Sequence, residues 1–129
     1  MKRSSNFALL PVSLLTTALF LCACNSSHMR AAAQLTGGDP RSGREKMMRY
    51  GCPACHQIPG VQTAVGEVGP PLDHIARRTY LAGELPNTPQ NMMRWIEKPR
   101  DVEPHTAMPD MGVTDNDARD ITAYLYSLN

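Results

Sequence analysis

The chain has 129 residues, 42% hydrophobic and 5% aromatic, with 13 Lys+Arg against 12 Asp+Glu for a formal net charge of +1. That length fits one small domain. The balanced charge excludes a nucleic-acid binder that works by neutralising phosphates, and it likewise excludes an acidic disordered chain.

The first segment reads as an address. Lys2 and Arg3 precede an uncharged, almost wholly apolar run from Phe7 to Ala23, which ends in Leu21-Cys22-Ala23-Cys24. A charged start and a short apolar run indicate a secretory signal peptide over residues 1–23; a membrane span needs about 20 apolar residues, so a retained helix is a lesser option. The end of the run resembles a bacterial lipobox, with Leu21 three residues before Cys24 and small Ala23 directly before it. Cys24 is then the lipid-attachment residue and the new N-terminus, a role that Cys22, preceded by bulky Leu21, does not suit. An ordinary signal cut near Ala31-Ala32-Ala33 is the alternative. Cleavage before Cys24 leaves 106 residues and, without Lys2 and Arg3, a formal charge of −1. Residues 24–41 show no apolar period. They are expected to form the lipidated N-terminus and a flexible tether, spanning roughly 20–25 Å on average, in which His28 is a solvated linker residue.

Residues 42–129 read as short helices joined by long loops. Ser42-Gly43-Arg44-Glu45 is a capping box that opens a helix over 43–50, stopped by Gly51. Pro59-Gly60 marks a turn, Gly69-Pro70-Pro71 breaks the chain, and a short helical turn is expected within 72–78. Thr88-Pro89 supplies an N-cap followed by Pro at N1. This third helix runs to about residue 97, where Pro99 ends it, and carries Met92, Trp95 and Ile96 on one face. Thr114 caps the last helix, with Asp115 and Asp117 in its first turn and Ala118, Ile121, Leu125 and Leu128 as its apolar stripe. No strand-like alternation of useful length occurs. The expected fold class is all-α, and so few helices need a staple or a cofactor to complete a core.

Cys52-Pro53-Ala54-Cys55-His56 is C-x-x-C-H, the attachment signature of c-type haem. Two thiols one helical turn apart reach the two vinyl groups of one haem, and His56 then lies under the iron as the proximal ligand. A thioredoxin-like pair needs a βαβ setting and a zinc site needs a second ligand pair; the sequence offers neither. Candidates for the distal ligand are Met108, Met111, Met92, Met93, His74 and His105.

From residue 41 to 129 the chain resembles a class I cytochrome c. The likeness rests on motifs in order: a capped helix before Cys52-Pro53-Ala54-Cys55-His56, then Gly69-Pro70-Pro71-Leu72, the Trp95-bearing helix, Pro104-His105-Thr106-Ala107-Met108-Pro109, and a final helix with Ala123-Tyr124-Leu125. The resemblance implies a small all-α fold wrapped around one covalent haem c held by Cys52 and Cys55, with His56 and Met108 as axial iron ligands. It implies that the Pro70 carbonyl accepts from His56, that Arg78 and Asn87 anchor the propionates, that Trp95 packs on the haem, and that Tyr124 and Ile121 pack near Met47 and Met48. One departure stands out: His105 occupies the place where the family usually has Gly before the Thr of the Met loop.

Two strong axial ligands leave no open position for oxygen or peroxide, so the expected role is an electron carrier rather than an enzyme. A Met opposite His raises the reduction potential relative to two His. The resemblance implies a bacterial respiratory chain, with a quinol-oxidising complex or periplasmic dehydrogenase as donor and a membrane-bound oxidase as acceptor. The location implied is the periplasmic face of the inner membrane, lipid-anchored, or alternatively the soluble periplasm. The loop pattern also resembles cytochrome domains of oxidase subunits, so a structural haem subunit of such a complex is one alternative. A haem enzyme or gas sensor with an open distal site is another. Arg44, Lys46, Arg49, Lys98 and Arg100 are mixed with Asp110, Asp115, Asp117 and Asp120, so no strongly salt-steered partner is expected.

Overall fold

A computed structural model describes residues 27–128. The signal peptide over 1–23 and the lipid-attachment residue Cys24 lie outside the described residues. The chain runs through α1 (27–36), α2 (Pro40–Arg49), a 3₁₀ turn (Cys52–Ala54), a second 3₁₀ turn (Ile75–Arg77), β1 (Tyr80–Leu81), β2 (Leu85–Pro86), α3 (Pro89–Glu97), α4 (Pro99–Val102) and α5 (Asp115–Ser127). The class is all-α, with β1 and β2 forming only a two-residue antiparallel hairpin in which Tyr80 faces Pro86 and Leu81 faces Leu85. Ala82 and Gly83, at its turn, both have positive φ, as a type I′ connection requires.

Two helix starts follow the sequence reading. Thr88 Oγ1 accepts from Asn91 N at 3.2 Å and Thr114 Oγ1 from Asp117 N at 3.3 Å, each satisfying an orphan donor of the first turn. The start of α2 differs. Its cap is Asp39, whose Oδ1 accepts from Arg41 N at 2.9 Å, with Pro40 next. Proline at N1 is pre-set for a helix, so the helix opens three residues earlier than the capping box implied and Ser42 lies inside it. Pro99 ends α3 and also begins α4, across a break at Lys98.

The flexible tether expected over 24–41 is corrected for 27–36, which are helical. Ala32 is 3% exposed and belongs to the core, Thr36 Oγ1 donates to the Ala32 carbonyl at 2.8 Å, and Gly37 N closes on the Ala33 carbonyl at 2.8 Å. Ala31-Ala32-Ala33 is the strongest helix former available; the missing amphipathic period hid it, because a helix docked by small residues shows little hydrophobic contrast.

The core gathers on α5, which is buried at Ala118 and continuously from Ile121 to Tyr126. Burial there exceeds the single stripe expected, because α2, α3 and the Ile75–Arg77 turn all pack on it. The α2–α5 crossing is backbone-close: a Cβ at Gly43 would lie 1.9 Å from the Asp120 carbonyl oxygen. Met47 is buried at this crossing, whereas Met48, expected to pack beside it, is 43% exposed; neighbours on a helix point about 100° apart. A polar tie seals the crossing. Lys46 Nζ sits 2.7 Å from Asp117 Oδ1 and 2.6 Å from Asp120 Oδ2, Tyr50 OH donates to Asp117 at 2.7 Å, and Asp39 N donates to Asp120 Oδ1 at 2.8 Å.

Candidate functional site

The site is built at the exit of α2. Gly51, at φ 77, turns the chain out of the helix through a conformation that costs glycine little. Cys52–Ala54 then makes one tight turn, with Cys55 N on the Cys52 carbonyl at 3.2 Å and His56 N on the same carbonyl at 3.0 Å. This turn places Cys52, Cys55 and His56 along one cavity. The loop beyond folds back over the motif, held by Gly69 N on the Cys55 carbonyl at 2.8 Å and Leu72 N on the Gln57 carbonyl at 2.9 Å. It thereby delivers Pro70 to His56, whose Nδ1 lies 2.7 Å from the Pro70 carbonyl oxygen. A carbonyl only accepts, so Nδ1 carries the proton and Nε2 keeps the lone pair for a ligand. Gly69 makes the approach possible: a Cβ there would lie 2.2 Å from His56 Cε1.

The cavity has a volume of about 510 Å³ and is lined by Cys52, Cys55, His56, Pro70, Arg78, Trp95 and Met108, with Tyr50, Leu72, Ile75, Leu81, Met92, Ile96, Ile121 and Leu125 among its apolar walls. On the Met loop, Thr106 Oγ1 accepts from Met108 N at 3.1 Å and Thr106 N bonds the Glu103 carbonyl at 3.1 Å. Of the six distal candidates, Met108, Met111 and Met92 reach the cavity; Met93, His74 and His105 do not. His74 and His105 are exposed.

Asn87 is a correction. It does not line the cavity. Its Nδ2 donates to the Ile75 and Arg78 carbonyls, both at 2.8 Å, and its Oδ1 accepts from Tyr126 OH at 2.8 Å. Both amide hydrogens are committed, so it clamps the Ile75–Arg77 turn to α5 rather than facing the cavity. Arg78 does line the cavity, and its guanidinium also donates to the Pro71 carbonyl. The sequence reading missed the wall supplied by Tyr80, Leu81 and Glu103; Gly83 after Ala82 is a weak hairpin signal, without the usual Asn-Gly or Asp-Gly pair.

The donor set fits a tethered prosthetic group. Cys52 and Cys55 are free thiols, and burial pushes the Cys52 thiol above its usual range. Among the described residues no group of three or more His, Cys, Asp or Glu could hold a bare metal ion. Two thiols, an imidazole with one nitrogen already engaged, and a thioether thus share one mostly apolar cavity of a size typical for cofactors. These features define a c-type haem protein.

The chain belongs to the cytochrome c family: the family model described as Cytochrome c matches residues 41–129. It is a class I c-type cytochrome and binds covalent haem c. Among curated proteins, cytochrome c oxidase subunit 2 of Alkalihalophilus pseudofirmus is 34% identical over 89 residues, which are 67% of this chain and 25% of that protein. The chain therefore matches about a quarter of that relative's length. No solved structure matches it.

Proposed function

We propose that the protein is a one-electron carrier with His56 and Met108 as axial iron ligands. It is anchored through Cys24 at the periplasmic face of a bacterial inner membrane, between a quinol-oxidising complex or dehydrogenase and a membrane-bound oxidase. The carrying observation is that His56 and Met108 line the same cavity as Cys52 and Cys55. When bound, haem supplies reversible one-electron exchange between ferric and ferrous iron. The chain's residues set the conditions for it. Cys52 and Cys55 hold the group as thioethers. Pro70 fixes the tautomer and orientation of His56, which raises its basicity as a ligand. Thr106 fixes the Met108 backbone. The apolar walls exclude water and so disfavour the more positive oxidised state. Arg78 places a positive charge at the cavity for a propionate, and Trp95 and Pro70 contribute wall.

The docked α1 supports cleavage before Cys24. A cut at Ala31–Ala33 would sever that helix and remove Ala32 from the core. The likeness to an oxidase subunit supports a second reading, in which the domain works as a subunit of an oxidase complex. Copurification with an oxidase after gentle detergent extraction distinguishes the two. The test of the main reading is the visible spectrum of haem-loaded protein, oxidised and reduced, with and without carbon monoxide. A low-spin spectrum with a weak far-red sulfur–iron band and no response to carbon monoxide is expected. A high-spin spectrum that shifts with carbon monoxide would overturn it in favour of a haem enzyme or gas sensor.

A further inference from the structure

We infer that α1 is a rigid strut that holds the cytochrome domain in one orientation on the lipid surface, rather than a leash on which it swings. The inference rests on the proposed anchoring at Cys24. The helix lies outside the residues matched by the family, 41–129, so it is an addition to the domain. Ala32 is sealed in the core at 3% exposure, and Thr36 ties back to the Ala32 carbonyl at 2.8 Å. The link to α2 contains Gly37 and Gly38, which in isolation would make a hinge, yet here it is immobilised. Gly38 N bonds Thr36 Oγ1 at 3.2 Å and Asp39 N bonds Asp120 Oδ1 on α5 at 2.8 Å. A Cβ at Gly38 would lie 2.5 Å from the Arg119 carbonyl oxygen, so the link lies directly against the α5 backbone. Pro40, the next residue, is buried.

The consequence is one of reach. A free chain from Cys24 to residue 41 extends up to about 60 Å. With residues 27–36 helical and sealed to the core at Ala32, only the three peptide units from Cys24 to Ser27 separate the lipid from the start of that helix. Whatever their conformation, they span at most about 11 Å. A domain held at that distance, through a helix sealed into its core at Ala32 and joined to it by a link tied to α5 at Asp39, cannot turn over freely. Electron exchange is thereby restricted to partners that meet the cavity from the side this tilt presents.

The haem itself reports the orientation. Lipidated holoprotein is purified in detergent, its N-terminus checked by mass spectrometry, and placed in aligned supported bilayers for polarised visible absorption. A marked linear dichroism of the haem band is expected. It should fall to near the isotropic value on insertion of about sixteen Gly/Ser residues between Ser26 and Ser27. It should fall likewise in Ala32→Glu, with the solution haem spectrum of both variants unchanged. Isotropic absorption from bilayer-bound wild type overturns the strut while leaving the anchor intact, as does dichroism that survives the insertion. An N-terminus without lipid, on a protein that does not bind the bilayer, overturns the anchoring and the strut with it.

Discussion

Gly69→Ala probes the contact on which the site depends. The added Cβ would lie 2.2 Å from His56 Cε1, 2.6 Å from Nδ1 and 2.8 Å from Nε2, whereas ordinary contact begins near 3.4 Å. The ring or the loop must therefore give by about 1.2 Å. The loop is held by Gly69 N on the Cys55 carbonyl at 2.8 Å, so the ring moves and the Nδ1–Pro70 bond is lost. Overpacking costs about 1–3 kcal/mol and the bond roughly another 1 kcal/mol. Gly69 is not in the left-handed region, so the stiffer unfolded chain offsets about 0.4–1 kcal/mol of this. The net loss is about 1–3.5 kcal/mol, or roughly 4–25 °C in Tm for a domain of this size. Thermal melting of the haem-loaded protein, followed by circular dichroism and visible absorption, checks it. A Tm within ~2 °C of wild type and an unaltered low-spin spectrum would refute the reasoning, because the ring would then have no close neighbour at Gly69.

Met108→Ala should turn the oxidised spectrum high-spin, admit carbon monoxide and lower the midpoint potential, while Met111→Ala, at a residue 40% exposed, leaves all three unchanged. Asn87→Ala strands the Ile75 and Arg78 carbonyls and Tyr126 OH; denaturant unfolding should show a loss of about 2–4 kcal/mol, with the haem spectrum unchanged. The Lys46 tie makes stability pH-dependent. Hydrogen bonds from Lys46 and Tyr50 hold the Asp117 carboxyl below its ordinary value of 3.8. Burial opposes ionisation of Asp120, but Lys46, the Asp39 amide and Ser42 outweigh it and lower its value too. Both contributions are present above about pH 4 and fade as pH falls through the lowered values. Asp117 and Asp120, by hydrogen bonding, raise Lys46 above 10.5, so its contribution is present below that pH and is lost as pH rises through the raised value. The double variant Asp117→Asn/Asp120→Asn should show a smaller fall in Tm between pH 6 and pH 3 than wild type; an equal fall would exclude the tie as its cause.

What the sequence determined by itself was chemistry that acts over one helical turn. Cys52, Cys55 and His56 need only their spacing to be read as a haem site, and Thr88, Pro89 and Thr114 need only their immediate neighbours to start α3 and α5. The tertiary structure decided what depends on contacts between distant residues. The Gly69–Pro70 loop reaches His56 because it bonds the backbone at Cys55 and Gln57. Asn87 becomes a clamp because the Ile75–Arg77 turn and Tyr126 converge on it. Of the distal candidates, only Met92, Met108 and Met111 are carried to the cavity. Residues 27–36 looked like a tether because alanines give no hydrophobic contrast, and they are held because Ala32 enters the buried core and the Gly38–Asp39 link lies against α5. Spacing along the chain sets the first kind of feature, and the path of the backbone sets the second.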